Sequence, residues 1–270
     1  ILPLTVFAIL FICLSVASSN FLTPGTIELI LKQAVPTVVV SIGLATVVIA
    51  GGDDVVSGGI DLSIPATAII CAAIIADQVT NNGASILWGL TLAFGAAGIV
   101  GAINAGLIVW VSMTPLLATL ATSVAIVGVT KVITESRRIG IADPVVIFVR
   151  DSRILGVAAG VVLTAIIALL FWHLVHRTRW GMNLQATGGS RDAAEISGID
   201  TKQFVVQSFL LAAFAGWLAS MFVLARGSGS SPGSEESLLL EMVLATFLGA
   251  AFSPRRVVTV WGAILGAVLV

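Results

Sequence analysis

Long apolar runs separated by short polar segments organise this chain, with neither a strict two-residue alternation nor a one-sided helical stripe. A helix that crosses the hydrocarbon core needs about 20 apolar residues, within a range of about 17–25. By that ruler nine spans are predicted, at 1–17, 34–50, 60–76, 85–111, 115–133, 154–175, 204–225, 238–251 and 257–270. The run 1–17 has the length of a signal peptide but lacks a basic start and a cleavage site leading into a soluble domain, so it reads as a span. A polar linker with Asn20, Pro24, Glu28 and Lys32 follows it, and Glu241 interrupts the short eighth run. Both ends of the sequence fall inside apolar runs, so flanking chain is expected beyond them.

Composition agrees with the pattern. Of 270 residues, 58% are hydrophobic and 10% charged, against about 25% charged in a soluble domain. Mean hydropathy is +1.11. The outside of such a fold is as apolar as its inside, so its solvent is lipid. The formal net charge of -1 gives no basic excess for nucleic acid. Cys13 and Cys71 lie in apolar runs and read as packing residues. His173 and His176 have no nearby Cys or carboxylate and read as an interfacial pair rather than a metal site.

Loop charges do not orient the chain, because Lys and Arg divide almost evenly between the two sides. Without tyrosine, the aromatic belt falls to tryptophan: Trp88 and Trp110 near the ends of the fourth span, Trp172 and Trp180 at the exit of the sixth. Trp217, in mid-span, is expected to pack. The fourth span carries two ridges of small residues, Ala97-Gly101-Ala105 and Gly98-Ala102-Gly106, which allow close helix approach in lipid.

Three regions carry candidate chemistry. The glycine-rich stretch 51–63 predicts a broken helix in or near the membrane, with Pro65 in the first turn of the next helix and Ser63 as its cap. Asp61 in that break is costly in lipid and needs compensation. It either borders the translocation path or anchors nearby backbone amides. Asn104, Thr114, Thr119 and Thr122 place an amide and hydroxyls near the fourth and fifth spans, either lining a polar path or satisfied by helix carbonyls. In the charged loop 176–203, Gly189 precedes Ser190, a good N-cap. Asp192 stands in the first turn, and Gly198 suits the position after the last turn. These predict a two-turn helix, Arg191–Ser197, containing Arg191, Asp192, Ala193, Ala194 and Glu195. No phosphate-binding Gly-x4-Gly-Lys-Ser/Thr loop or catalytic motif is present, so a non-enzymatic chain is expected.

Ser57-Gly58-Gly59-Ile60-Asp61-Leu62-Ser63 resembles the Gly-Gly-Ile-Asp-Leu-Ser signature of ribose-type sugar ABC transporter permeases. Further stretches resemble that family in order: Ile103-Asn104-Ala105-Gly106, Pro115-Leu116-Leu117-Ala118-Thr119-Leu120, His176-Arg177-Thr178-Arg179-Trp180-Gly181, Ala186-Thr187-Gly188-Gly189-Ser190 and Ser197-Gly198-Ile199. The resemblance implies an all-α, polytopic inner-membrane bundle of ten spans, nine of them visible here, in a single permease domain covering 1–270. It implies a cytoplasmic coupling loop at 176–203 and an outer segment at 134–153 facing a periplasmic sugar-binding protein. It implies a second permease subunit and separate cytoplasmic ATP-binding subunits carrying ATP and Mg, with no cofactor on this chain. Monosaccharide import by alternating access is the implied function. A permease for branched-chain amino acids or nucleosides, or an ion-coupled secondary transporter, is the alternative. Two departures, the polar Gly51-Gly52-Asp53-Asp54 stretch and the glycine-poor segment 248–256, suggest one half of a heterodimer.

Overall fold

The computed structural model describes residues 2–17, 21–52, 59–253 and 257–270. It is built from helices: α1 (Leu2–Ala17), α2 (Pro24–Gly51), α3 (Ile64–Ala76), α4 (Ile86–Val109), α5 (Pro115–Ile133), α6 (Pro144–Asp151), α7 (Ala159–Arg177), α8 (Arg179–Gly189), α9 (Arg191–Ile196), α10 (Thr201–Gly227), α11 (Glu235–Ala250) and α12 (Val260–Leu269). A π-helical turn, Asp77–Asn81, extends α3. Two short antiparallel pairings join Ile139–Gly140 (β1) to Gly229–Ser230 (β4), and Arg153–Ile154 (β2) to Val157–Ala158 (β3).

Among the described residues, six helices are long and apolar enough to cross a membrane: α2, α3 with its π-turn, α4, α5, α7 and α10. At 16, 16 and 10 residues, α1, α11 and α12 are shorter. The six are not equivalent. The most apolar window of α2 is 89% buried, whereas those of α5 and α7 are 28% buried. So α2 is the central post, packed against α10, α11 and α12, while α4, α5 and α7 turn apolar faces outward.

Small residues set the closest approaches, as expected where lipid removes the hydrophobic drive between helices. Gly101 of α4 lies so near α10 that a Cβ there would sit 3.0 Å from the Ala213 Cβ. The ridge Ala97-Gly101-Ala105 is therefore the α4–α10 seam, while Gly98 and Ala102 of the second ridge are exposed. Between α11 and α12, Gly249, Gly262 and Gly266 bring backbone against backbone; a Cβ on Gly266 would lie 2.0 Å from the Ala245 carbonyl oxygen.

Several boundaries differ from the sequence expectation. The second span begins at Pro24, capped by Thr23, so Glu28 and Lys32 belong to a helix rather than a linker. Their i,i+4 ion pair (3.0 Å) is compatible with an exposed helical turn, which a hydropathy ruler reads as loop. The sixth span starts at Ala159, because Leu155 (φ 52) and Gly156 (φ 83) turn β2 back onto β3. The segment 134–153 holds α6, whose cap Asp143 accepts from the Val145 amide (2.8 Å). Trp217 packs as expected, stacking on Phe214 (5.4 Å) and donating from Nε1 to the Leu90 carbonyl (3.0 Å). Trp88 and Trp110 are exposed at the two ends of α4, as a belt requires. Trp172 and Trp180 instead have partners: Trp172 meets Trp261 and the Arg177 guanidinium, and Trp180 donates to Gln207.

Candidate functional site

The bundle has two chemically different ends. At one end, β1–β4, β2–β3, α6 and the start of α2 are stitched together. Arg153 pairs with Glu28 (2.8 Å), Arg150 donates to Ser228 Oγ (2.8 Å), Arg138 donates to the Gly227 carbonyl, and Thr80 donates to the Gly140 carbonyl (2.8 Å). The Arg150 guanidinium, hydrogen-bonded to Asp151, holds that carboxyl below the usual carboxylate range. Leu155, at the tip of the β2–β3 turn, is 99% exposed.

The other end holds α8 and α9. The sequence reading takes 176–203 as a loop with one short helix; the structure gives two helices and little loop. α8 starts at Arg179, where the Thr178 hydroxyl accepts from the Gly181 amide (3.1 Å). Its far end touches the end of α2, since a Cβ on Gly188 would stand 2.0 Å from the Ile49 carbonyl oxygen. Gly188 is thus a contact point that only glycine fits. Ser190 then caps α9, its hydroxyl accepting from the Ala193 amide (3.3 Å). Gly198, at φ +83, ends the helix as expected of that position.

Within α9, Ala194 is buried, whereas Arg191, Asp192, Ala193 and Glu195 are exposed. Glu195 also accepts from the Thr201 hydroxyl (2.6 Å), tying α9 to the first turn of α10. Ile196 is 89% exposed. Sequence reasoning passed over it, because one isoleucine in a polar loop carries no periodic signal. A large apolar side chain at the tip of a charged helix is the kind of group that a protein partner buries.

The proposed path residues come together only in part. Asp61 and Ser63 follow the break between α2 and α3; residues 53–58 of that break, including Ser57 and Gly58 of the signature, lie outside the described residues. Asp61 Oδ1 accepts from the Ser63 amide (2.8 Å) and the Ser63 hydroxyl (2.6 Å). Asn104 of α4 donates to that same hydroxyl (2.7 Å), and Thr119 of α5 accepts from the Leu62 amide (3.1 Å). The four side chains form one buried knot joining the break to α4 and α5, each with relative exposure of 1% or less. The expected capping role of Ser63 is not seen: it occupies the N-cap position of α3 with helical backbone (φ -85, ψ -13), and its hydroxyl oxygen accepts from Asn104 instead of a helix amide.

Two acceptors in the knot, Asp61 Oδ2 and Asn104 Oδ1, have no partner among the described residues. Thr122 stands one turn further along α5 and donates to the Ala118 carbonyl (2.9 Å). Thr114 is not in the knot; it is exposed at the start of α5 and lines a cavity with Arg191. Asn104 lies five residues from the end of α4, a rise of about 7.5 Å. The knot therefore sits towards the α8–α9 end rather than at mid-depth.

Multiple apolar helices with irregular backbone buried among them are the architecture of a polytopic membrane protein. Residues 26–270 match the family described as "Branched-chain amino acid transport system / permease component", and the chain belongs to it. Among curated relatives, it is 29% identical to the D-allose transport system permease of Escherichia coli K12, over 81% of this chain and 65% of that protein. It is 28% identical to the ribose import permease of Bacillus subtilis, over 97% of this chain and 80% of that protein. It is 30% identical to the galactofuranose transporter permease of Escherichia coli K12, over 82% of this chain and 62% of that protein. The chain thus spans a little under two thirds of the length of the first and third of these relatives. No solved structure matches it. Family and apolar helices together make this a transport-system permease component and a multi-pass inner-membrane protein.

Proposed function

We propose that this chain is the membrane subunit of an ABC importer for a monosaccharide, driven by ATP hydrolysis on separate cytoplasmic subunits that hold ATP and Mg. The observation that carries the reading is α9: a capped two-turn helix, exposed on its outer side and set against the central post α2 through α8. A partner pressing on α9 has a short path into the core, from α8 to α2 at Gly188. ATP supplies energy only if its binding favours one conformation over the other, so alternating access requires a lever between the two chains. In this reading α1, α11 and α12 also cross the membrane, giving nine spans. The end bearing α9 faces the cytoplasm, and the stitched end faces a periplasmic binding protein. A second permease, identical or different, completes the assembly.

The sugar class comes from relatives named for allose, ribose and galactofuranose. The family's own description keeps branched-chain amino acids as a second reading. Proteoliposomes holding the permease, its ATPase and its binding protein separate the two. ATP-dependent uptake of labelled pentoses or hexoses supports the proposal. Uptake of leucine or valine without sugar uptake selects the second reading.

A further inference from the structure

We propose that a cavity at the α9 end, between the α4–α5 turn and the start of α10, binds the phosphate headgroup of an anionic phospholipid. The inference rests on the functional reading above only for its leaflet, the cytoplasmic one. The cavity holds about 370 Å³ and is lined by Arg191, Lys202, Ser112 and Thr114, with apolar walls from the end of α4 and from Val205. Neither Arg191 nor Lys202 forms an ion pair among the described residues. The acids nearest in sequence, Asp192 and Asp200, do not line the cavity: Asp200 accepts from the Gln203 amide (3.2 Å) as the cap of α10, and Glu195 is engaged by the Thr201 hydroxyl (2.6 Å). Two cations facing one cavity without a carboxylate on its wall call for an anion.

The surroundings distinguish a lipid from a soluble anion. The turn that forms one wall continues from Trp110 and Val111, which are 73% and 62% exposed, and α5 then presents Leu117 at 59% exposure. A phosphate held by Arg191 and Lys202 would therefore have its acyl chains beside an outward apolar surface, with an indole at the level where tryptophan anchors in membranes. Basic pockets between helices on the cytoplasmic side suit anionic headgroups on general electrostatic grounds. Thr114 makes no capping bond at the start of α5, leaving its hydroxyl to serve the headgroup. Because Arg191 is the first residue of α9, such a lipid would also fix where the lever begins.

The test is native mass spectrometry of the purified permease, titrated with phosphatidylglycerol or phosphatidylcholine, with thermal midpoints recorded in parallel. The expected result is preferential retention of phosphatidylglycerol, weakened about fivefold in Lys202→Ala. Thr114→Leu, which fills the cavity without changing charge, should weaken it as well, and Lys32→Ala at the opposite end should not. An unchanged midpoint in phosphatidylcholine shows that these variants fold. Equal retention of the two lipids by the wild type overturns the proposal. So does a preference that survives both cavity variants, or displacement of the lipid by millimolar inorganic phosphate. None of these readouts depends on transport, so the importer reading can fail or hold separately.

Discussion

The two ends of the bundle differ in how their backbone is held. The stitched end ties three helices and two strand pairs with cross-element bonds, among them Arg153–Glu28, Arg150–Ser228 and Thr80–Gly140. At the other end, α8 is held by close glycine contacts at Gly181 and Gly188 and by the Trp180–Gln207 and Gln185–Val175 bonds, whereas α9 itself is joined to α10 by one side-chain bond among the described residues, Glu195–Thr201. Local stability follows such contacts, so the first end should open rarely and α9 should move most readily. The coupling proposed above needs this asymmetry: a helix that can shift at one end, the lever of that proposal, and a frame that stays closed at the other. The lever's sequence fits, since Ser190 and Gly198 bound a helix only six residues long.

The largest effect is expected at the tip of the lever. Ile196→Asp should cut ATP-driven uptake by about tenfold or more, as loss of a buried interface anchor does, with the thermal midpoint unchanged. Uptake at the wild-type level would remove α9 from the coupling path. Next comes the joint between lever and post. Gly188→Val places a side chain where the Ile49 carbonyl stands, and overpacking of this kind costs about 1–3 kcal/mol. A lower midpoint in thermal melts of the detergent-solubilised protein is expected, and a midpoint equal to wild type would show that α8 is loosely seated.

The knot gives an intermediate effect with a built-in control. Asp61→Ala leaves the Ser63 amide and hydroxyl without their acceptor, which costs about 1–3 kcal/mol in a buried site. Asp61→Asn keeps an acceptor for both and replaces the unpartnered Oδ2 with a donor, so it should melt close to wild type. If transport nevertheless fails in Asp61→Asn, the carboxylate has a part beyond holding the break. If both variants melt alike, the knot is not what secures it. The smallest effect is expected at the stitched end, where Arg153→Ala removes a partly exposed ion pair worth about 0–1 kcal/mol. A large loss of stability there would mean that this end depends on one bond rather than on many.

Much of this contrast was readable before the fold. Apolar length located the six long spans, because a lipid environment leaves few other places for such runs. The helix α9 was legible because capping is local chemistry: Ser190 and Gly198 act within a few residues of themselves. The stitched end was not, because its bonds join positions far apart in sequence, such as Arg153 with Glu28 and Ile139 with Ser230. The path candidates were half legible. Asp61, Ser63, Asn104 and Thr119 share a cluster that no spacing rule predicts, and Thr114 belongs to another site. Hydropathy also hid the first turns of α2, where Glu28 and Lys32 lower the average but are paired with each other.

The most direct test places a single reactive thiol at the lever's tip. With Cys13 replaced by alanine and Ile196 by cysteine, membrane vesicles of both orientations are treated with a membrane-impermeant maleimide, with and without the ATP-hydrolysing subunits. The account predicts labelling only from the cytoplasmic face, and protection when those subunits are bound. Labelling from the outer face, or equal labelling with and without the subunits, would contradict it.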